Sequence, residues 1–178
     1  DDWIFGGRRS DVLVGGRGND TVFGDNGNDR VNGGNGNDHL YGGDGADHLY
    51  GDAGNDYLNG GKGGDWLYGG AGNDTFDYNA LSDSPGFEET SPVIVRDSIV
   101  GFNGDGAALG DRIDLSSIDA NLDVDGNQAF TPAQLSYSNG IFSANVIGFG
   151  IPGSLDLQIH LVGNPPLDIV GATNDIIL

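Results

Sequence analysis

Three consecutive segments decide the fold of this chain: GGRGNDTVF (residues 15–23), GDNGNDRVN (residues 24–32) and GGNGNDHLY (residues 33–41). Five further units keep the same nine-residue phase, so that the series runs from Gly6 to Asp77 without an insertion. Position 1 is always Gly, position 6 is always Asp and position 8 is always apolar. Such a fixed period predicts a repeat architecture in which each unit is one small structural element.

The glycines and the aspartate of each unit predict a calcium-binding turn. Gly at positions 1, 2 and 4 allows positive φ, so that backbone carbonyl oxygens can line a concave loop. The position-6 carboxylate adds an oxygen ligand, and a donor set made only of oxygen suits Ca²⁺, which accepts about six to eight such ligands in flexible geometry. The position-6 residues are Asp11, Asp20, Asp29, Asp38, Asp47, Asp56, Asp65 and Asp74.

The rest of each unit predicts a short strand. Positions 7 to 9 read as three strand residues, with the apolar position 8 pointing inward. Two units, or 18 residues, then make one coil with a strand on each of two facing sheets, and aspartates 18 residues apart stack in two columns. Without metal the carboxylates in a column repel one another, so we expect the metal-free repeats to be disordered.

The composition favours a partner that is a cation. There are 27 acidic and 7 basic side chains, and the formal net charge of −20 would repel nucleic acid and anionic lipid. The absence of Cys excludes disulfides and thiolate metal sites. The absence of Met leads us to expect a processed product or a piece of a longer protein. No apolar run approaches the roughly 20 residues of a membrane span, and the first residues do not resemble a cleavable signal peptide.

The pattern GGxGxDxUx, in which U is a large apolar residue, resembles the nonapeptide of RTX proteins, the repeats-in-toxin or haemolysin-type calcium-binding family. The resemblance implies an all-β fold in which residues 1–77 form a right-handed parallel β-roll. It also implies how each ion is held. One loop provides the carbonyls of positions 2 and 4 and its Asp, and the loop one coil later provides the carbonyls of positions 1 and 3 and its Asp.

Carried onto this sequence, the rule gives a set of sites that each join two loops one coil apart. The loop pairs are Gly16, Gly18 and Asp20 with Gly33, Asn35 and Asp38; Asp25, Gly27 and Asp29 with Gly42, Asp44 and Asp47; Gly34, Gly36 and Asp38 with Gly51, Ala53 and Asp56; Gly43, Gly45 and Asp47 with Gly60, Lys62 and Asp65; and Asp52, Gly54 and Asp56 with Gly69, Ala71 and Asp74. A further site would join Asp11 to Asp29 with Gly24 and Asn26, but Arg9 stands there in place of the position-4 glycine. We therefore expect about five to seven Ca²⁺ ions.

Residues 78–178 alternate apolar runs with turn residues and predict a small antiparallel sheet or sandwich that caps the open end of the roll. Asn139-Gly140 is a strong hairpin signal between two of these runs. The expected strands cover residues 93–95, 98–100, 112–115, 135–137, 141–143 and 155–162.

Several stretches of this half resemble the C-terminal domain of serralysin-type secreted metalloproteases. They are residues 79–84, 110–116, 118–121 and 126–130. The final residues 174–178, which include Asp175, Ile176, Ile177 and Leu178, are similar to the uncleaved type I secretion signal of those proteins. Where such domains often carry an Asp-rich turn, this chain has residues 148–153, so no calcium site is expected there.

These features predict a non-catalytic module, since the sequence contains no HExxH helix, nucleophile elbow or paired catalytic carboxylates. In the first interpretation it is a bacterial, extracellular module that passes through the type I secretion machinery and folds on Ca²⁺. The resemblance implies that it is linked to an exported enzyme, a serralysin-like metalloprotease. In the second it is a polysaccharide-binding module, similar to those of secreted alginate (mannuronan C5-) epimerases. A surface adhesin is a third.

Other side chains in the repeats leave further alternatives open. The aromatic residues Tyr41, Tyr50, Tyr57, Trp66 and Tyr68 could form a strip for sugars or could shield strand edges. His39 and His48 fall on opposite sheets of the predicted roll and indicate solvated strand faces rather than a zinc site.

Overall fold

The structure is a computed structural model, and it describes residues 1–80, 83–84, 96–103, 110–117, 135–138, 140–145, 156–163 and 176–177. Its regular structure is built from strands. They are β1 (Trp3–Gly7), β2 (Val12–Arg17), β3 (Thr21–Asn26), β4 (Arg30–Asn35), β5 (His39–Asp44), β6 (His48–Ala53), β7 (Tyr57–Lys62), β8 (Trp66–Ala71), β9 (Thr75–Asp77), β10 (Asp97–Val100), β11 (Arg112–Asp114), β12 (Leu135–Ser138), β13 (Ile141–Asn145), β14 (Asp156–Val162) and β15 (Ile176–Ile177).

The repeats form a parallel β-roll, as predicted. Odd-numbered strands from β1 to β9 lie side by side in one sheet, called sheet A here, and even-numbered strands from β2 to β8 lie in the other, called sheet B. Neighbours pair in parallel with a constant offset of one coil, so that Trp3 faces Thr21 and Val12 faces Arg30. Most strands have six residues rather than three, because the ladder continues through positions 1 to 3 of the following unit.

The core of the roll consists of one inward side chain from each strand. Val22, Leu40, Leu58 and Phe76 come from sheet A, and they meet Val31, Leu49 and Leu67 from sheet B; all seven are fully buried. Burial of such side chains contributes about 1.5–3 kcal/mol each. With one buried side chain for nine residues, this contribution is small beside the conformational entropy of the ordered loops.

The roll continues beyond the repeats, which corrects the expectation that these strands join an antiparallel sheet. β10 pairs in parallel with β8, placing Ile99 beside Leu67, and β11 pairs in parallel with β9, placing Ile113 beside Phe76. The segments DSIV (97–100) and DRID (111–114) repeat positions 6 to 9 of a unit without its glycine-rich turn. Because the turn is missing, the two segments fall outside the nine-residue period.

An antiparallel sheet is present in part. β12 and β13 form the expected hairpin, in which Ser138 pairs with Ile141, and β13 pairs antiparallel with β14. β14 then joins sheet B through a parallel pairing with β10. The second residue of the hairpin turn, Gly140, has a φ of 77°.

Other predictions for this half are only partly covered by the structure. Ile176 and Ile177 form β15 and pair in parallel with β11. The predicted strand 93–95, the stretches 118–121, 126–130 and 148–153, and Asp175 and Leu178 lie outside the described residues. The division of the chain between residues 77 and 78 stays a prediction. In the part of the chain that the structure describes, no helix has the length and apolar character to cross a membrane.

Candidate metal centre

The position-6 aspartates form two columns in which each carboxylate bonds to the coil before it. The backbone N–H of Asp20 donates to Oδ1 of Asp38 at 2.8 Å, and the N–H of Asp38 donates to Oδ1 of Asp56 at 2.9 Å. The second column repeats this geometry from Asp29 to Asp47, also at 2.8 Å. The 18-residue spacing therefore brings together the same-side aspartates that the sequence predicts.

The second carboxylate oxygen of each aspartate has no hydrogen-bond partner. These Oδ2 atoms are buried inside the loops, where an uncompensated negative charge costs several kcal/mol of folding free energy. Such oxygen atoms fit the role of cation ligands. The pattern holds for Asp20, Asp29, Asp38, Asp47, Asp56, Asp65 and Asp74.

A carbonyl from the next coil lies beside four of these carboxylates, those of Asp20, Asp29, Asp47 and Asp56. A β-carbon added to Gly15 would lie 2.6 Å from Oδ2 of Asp20 and 2.7 Å from the carbonyl oxygen of Gly33. At Gly24 the same test gives 2.6 Å to Oδ2 of Asp29 and 2.5 Å to the carbonyl oxygen of Gly42. Glycine at position 1 thus keeps free a space that is lined by two oxygen atoms from adjacent coils.

The carbonyls of positions 2 and 4 also face the neighbouring loop. A β-carbon on Gly34 would collide with the carbonyl oxygen of Gly16, and one on Gly36 would collide with that of Gly18. Gly34 and Gly36 have φ values of 111° and 136°, in the region that favours glycine. The predicted ligand carbonyls therefore point between the loops.

Aspartate replaces glycine at position 2 in two units without changing the turn. Asp25 and Asp52 both have a φ of 72°, the left-handed conformation that Asp tolerates better than most residues. Their backbone carbonyls can therefore take the predicted ligand role.

The position-3 carbonyls already accept a hydrogen bond. The carbonyl of Asn35 accepts the N–H of Gly18 at 2.8 Å, which leaves one lone pair for a cation. The Nζ atom of Lys62 lies 3.4 Å from the exposed carboxylate of Asp44, so the lysine side chain is directed out of the loop. The other position-3 carbonyls with this bond are those of Asp44, Ala53, Lys62 and Ala71.

Burial makes the metal-free carboxylates hard to ionise. It raises the pKa of Asp47 and Asp74 to about 6, of Asp56 to about 7 and of Asp65 to about 8. Hydrogen bonds from backbone N–H groups offset part of this effect, whereas neighbouring carboxylates in the column add to it. A divalent cation bound between the loops would offset the cost of burying these charges and the repulsion between them.

The predicted metal sites are loop sites rather than side-chain clusters. Among the described residues no three His, Asp or Glu side chains group closely enough to hold a metal. Each site instead combines carboxylates with backbone carbonyls, and all its oxygens are hard donors that suit Ca²⁺. His39 and His48 lie in β5 and β6, on different sheets, as expected.

The first unit departs from the others. Arg9, at position 4, does not adopt the positive φ that Gly18 and Gly27 adopt in the same position of the next two units. Asp11 nevertheless donates its N–H to Oδ1 of Asp29 at 2.8 Å. The Asp11–Asp29 pair therefore has the column geometry without the complete turn.

Position 5 has a role that the sequence analysis missed. The N–H of Asn37 donates to Oδ1 of Asn19 at 2.8 Å, and the N–H of Asn55 donates to Oδ1 of Asn37 at 2.8 Å. Asn73 bonds to Asn55 in the same way. The recurrence of Asn at position 5 in five of the eight units was the available signal.

Fold and loop geometry together define a parallel β-roll with oxygen-lined turns. Four overlapping segments, residues 1–31, 23–58, 32–65 and 50–84, match the model of the RTX calcium-binding nonapeptide repeat. Residues 1–84 therefore carry RTX calcium-binding repeats. The match ends at residue 84, so the similarity of later residues to serralysin-type proteases stays a prediction.

Comparison with curated proteins gave no match. Several solved structures resemble the chain, and two of them are subunits of the mannuronan C5-epimerase of Azotobacter vinelandii. The AlgE6R2 subunit is 26% identical, with a TM-score of 0.47, over 90% of this chain and 84% of that one. The AlgE6R3 subunit is 24% identical, with a TM-score of 0.42, over 95% of this chain and 90% of that one. Both TM-scores lie below 0.5, so the overall arrangements agree only loosely.

Proposed function

We propose that the chain is a calcium-dependent folding module in which about five to seven Ca²⁺ ions hold the coils of the roll together. The observation that carries the proposal is the set of buried Oδ2 atoms without a hydrogen-bond partner, which recurs in every coil of the repeats. Among the described residues no Lys or Arg forms an ion pair with these carboxylates, and the N-terminal amine lies 3.5 Å from Oδ1 of Asp20.

The energetics favour folding only when calcium is present. The core provides one buried apolar side chain per strand, and the carboxylates are destabilised by burial and by each other. An ion present at 100 times its dissociation constant adds about 2.7 kcal/mol per site. Five to seven such sites would contribute about 14–19 kcal/mol, which is as large as the roughly 5–15 kcal/mol that separates folded from unfolded states in ordinary domains.

This behaviour would suit an exported protein. At low cytosolic calcium the repeats would stay unfolded and could pass through the type I secretion machinery, and at extracellular calcium they would fold. In this proposal residues 174–178 act as the uncleaved secretion signal, and the partner is a covalently linked catalytic domain such as a serralysin-like metalloprotease. The protein would be extracellular and would contribute no catalytic residue itself.

A calcium titration tests the central step. The purified full chain, stripped with EGTA, is titrated with Ca²⁺ and with Mg²⁺ while far-ultraviolet circular dichroism and hydrodynamic radius are recorded. We expect a cooperative gain of β signal and a compaction with Ca²⁺ only. Full β signal in EGTA, with an unchanged melting temperature, would rule the proposal out.

Polysaccharide binding remains a second candidate because aromatic rings line the outer faces of both sheets. Trp3 is 71% exposed and Trp66 is 41% exposed, so both could contact a sugar ring. In contrast, Phe23 stacks between Phe5 at 5.0 Å and Tyr41 at 4.8 Å, and both of its faces are covered. Affinity for alginate at fixed Ca²⁺, compared between the wild type and Trp66→Ala, distinguishes this candidate from a pure folding module.

A further inference from the structure

One aspartate column continues past the last repeat. The backbone N–H of Asp65 donates to Oδ1 of Asp97 at 2.9 Å, and the N–H of Ser98 donates to the carbonyl oxygen of Asp65 at 2.7 Å. The same pair of bonds links one coil to the next throughout the repeats. Asp97 therefore takes the place of a position-6 aspartate, although 32 residues separate it from Asp65.

Asp97 is buried and only half of its carboxylate is satisfied. Asp65 and Asp97 both have 0% exposure, and the Oδ2 atom of each has no hydrogen-bond partner. The hydroxyl of Tyr78 is buried beside Asp97, and burial together with the charges of Asp97 and Asp65 and a hydrogen bond to Asp97 raises its pKa well above the usual value. Two Oδ2 atoms and one phenol oxygen thus meet where β8 pairs with β10.

The other column ends in a different way. Oδ1 of Asp111 accepts the N–H of Asp74 at 3.1 Å, and its Oδ2 accepts the N–H of Asn103 at 2.8 Å. A backbone amide therefore satisfies the oxygen that would otherwise require a cation. No donor reaches Oδ2 of Asp97 in this way.

We propose that the junction of Asp65 and Asp97 binds one additional Ca²⁺ ion, outside the nonapeptide repeats, through the Oδ2 atoms of both aspartates and the Tyr78 hydroxyl. The inference rests on the proposed function, since it adds a terminal member to the same series of ions. Ca²⁺ fits this mixed set of oxygens better than Mg²⁺, because it tolerates irregular geometry and completes about six to eight positions with carbonyls or water.

A calcium count on matched variants tests this site. In Asp97→Asn the Oδ1 atom can still accept the N–H of Asp65, and only the anionic Oδ2 is lost. In the control, Asp111→Asn, the Oδ1 atom still accepts the N–H of Asp74, and the other column loses a charge and the bond from the N–H of Asn103 without losing an unsatisfied oxygen. Ca²⁺ per chain is measured by equilibrium dialysis of the full chain. We expect one ion fewer than the wild type for Asp97→Asn and no change for Asp111→Asn.

The rival occupant of the junction is a proton shared by the two carboxyl groups. Equal calcium counts for the wild type and Asp97→Asn would overturn the inference in favour of that proton. If Asp97→Asn does not fold, wild-type crystals grown with CaCl₂ give the answer through long-wavelength anomalous scattering. We expect a peak between the two Oδ2 atoms. Peaks in the repeats without one here would refute the extra site, whereas a chain with no calcium anywhere would refute the proposed function itself.

Discussion

The backbone N–H of Asp74 donates to Oδ1 of Asp111 at 3.1 Å, across 37 residues of sequence. Inside the repeats the equivalent bond joins residues 18 apart, as between Asp56 and Asp74 at 3.0 Å. The same contact is therefore made with and without the nine-residue period. The aspartate, rather than the complete nonapeptide, is what links one coil to the next.

Neutralising one position-6 aspartate should weaken calcium binding strongly. Asp38→Asn keeps the Oδ1 atom that accepts the N–H of Asp20 but removes the buried anionic Oδ2. Asp38 belongs to two predicted sites, one with Asp20 and one with Asp56. Each site that is occupied at 100 times its dissociation constant and then lost would lower the free energy of unfolding by about 2.7 kcal/mol. The matched control is Asp44→Asn, because the Asp44 side chain is 59% exposed and only its carbonyl is a predicted ligand. Chemical denaturation at fixed Ca²⁺ measures both, and equal effects would contradict the site assignment.

Two glycines with the same backbone conformation should respond differently to substitution. Gly16 and Gly34 have φ values of 110° and 111°, so Ala at either position carries about 1–2 kcal/mol of strain. A β-carbon meets nothing within 4 Å at Gly16, whereas at Gly34 it collides with the carbonyl oxygen of Gly16. We expect Gly34→Ala to lower the melting temperature and the calcium affinity well beyond the effect of Gly16→Ala. Similar losses would mean that the loops are not packed as described.

The core prediction concerns a fully buried leucine. Leu49→Ala should lower the free energy of unfolding in Ca²⁺ by about 2–5 kcal/mol, since it leaves a cavity between the sheets. Val12 lies at the outer face of β2 and is 73% exposed, so Val12→Ala should change stability by no more than about 0.5 kcal/mol. Urea unfolding at saturating Ca²⁺ compares the two variants.

The hydrogen bonds between the position-5 asparagines should contribute less to the free energy of unfolding than a calcium site does. Asn37→Ala removes the oxygen that accepts the N–H of Asn55 and should lower the free energy of unfolding by about 0.5–1.5 kcal/mol. Asn26→Ala is the control, because Asn26 is exposed on the loop and would keep its backbone carbonyl. Calcium stoichiometry should be unchanged in both variants, and a lost ion in Asn37→Ala would show that position 5 does more than bridge the coils.

Protonation of the buried aspartates at low pH should partly replace calcium in stabilising the roll. Burial raises the pKa of Asp56 to about 7 and of Asp65 to about 8, above the ordinary value of 3.8, so the metal-free roll holds protons more tightly than the unfolded chain. This contribution to stability is fully present below pH 3.8 and disappears as the pH rises through about 8. In EGTA we therefore expect the β signal to increase as the pH is lowered from 8 to 5. Far-ultraviolet circular dichroism at each pH measures it. A metal-free chain that gains structure with rising pH would contradict the assignment.

The repeats were predictable because each unit contains its own turn, ligand and core residue. The sequence therefore predicts the parallel roll, the two columns and the inward position 8, and each is found at the expected residues. Six-residue strands were not predicted, since glycines at positions 1 to 3 weaken the strand pattern although their backbone stays paired. The hydrogen bonds between position-5 asparagines were missed because the sequence analysis assigned no role to position 5.

The C-terminal half shows where local patterns stop being informative. The hairpin at Gly140 follows from its turn signal, and β12, β13 and β14 lie close to the expected positions. The parallel pairing of β10 and β11 could not be found from alternation, which indicates a strand but not its partner. The aspartates that precede Ser98 and Arg112 were the available sign of it.

The bonds within each column all run in the same direction, and the roll therefore has two unlike ends. Each Asp of a column gives its backbone N–H to the carboxylate of the coil that follows, whereas the N–H of position 7 bonds back to the Asp carbonyl of the coil before it. Loss of the last coil would leave the N–H groups of Asp65 and Asp74 without their carboxylate acceptors. Loss of the first coil would remove the carbonyl of Asp2, a neutral acceptor for the N–H of Thr21. Asp97 and Asp111 are thus the terminators that any shortened version must keep.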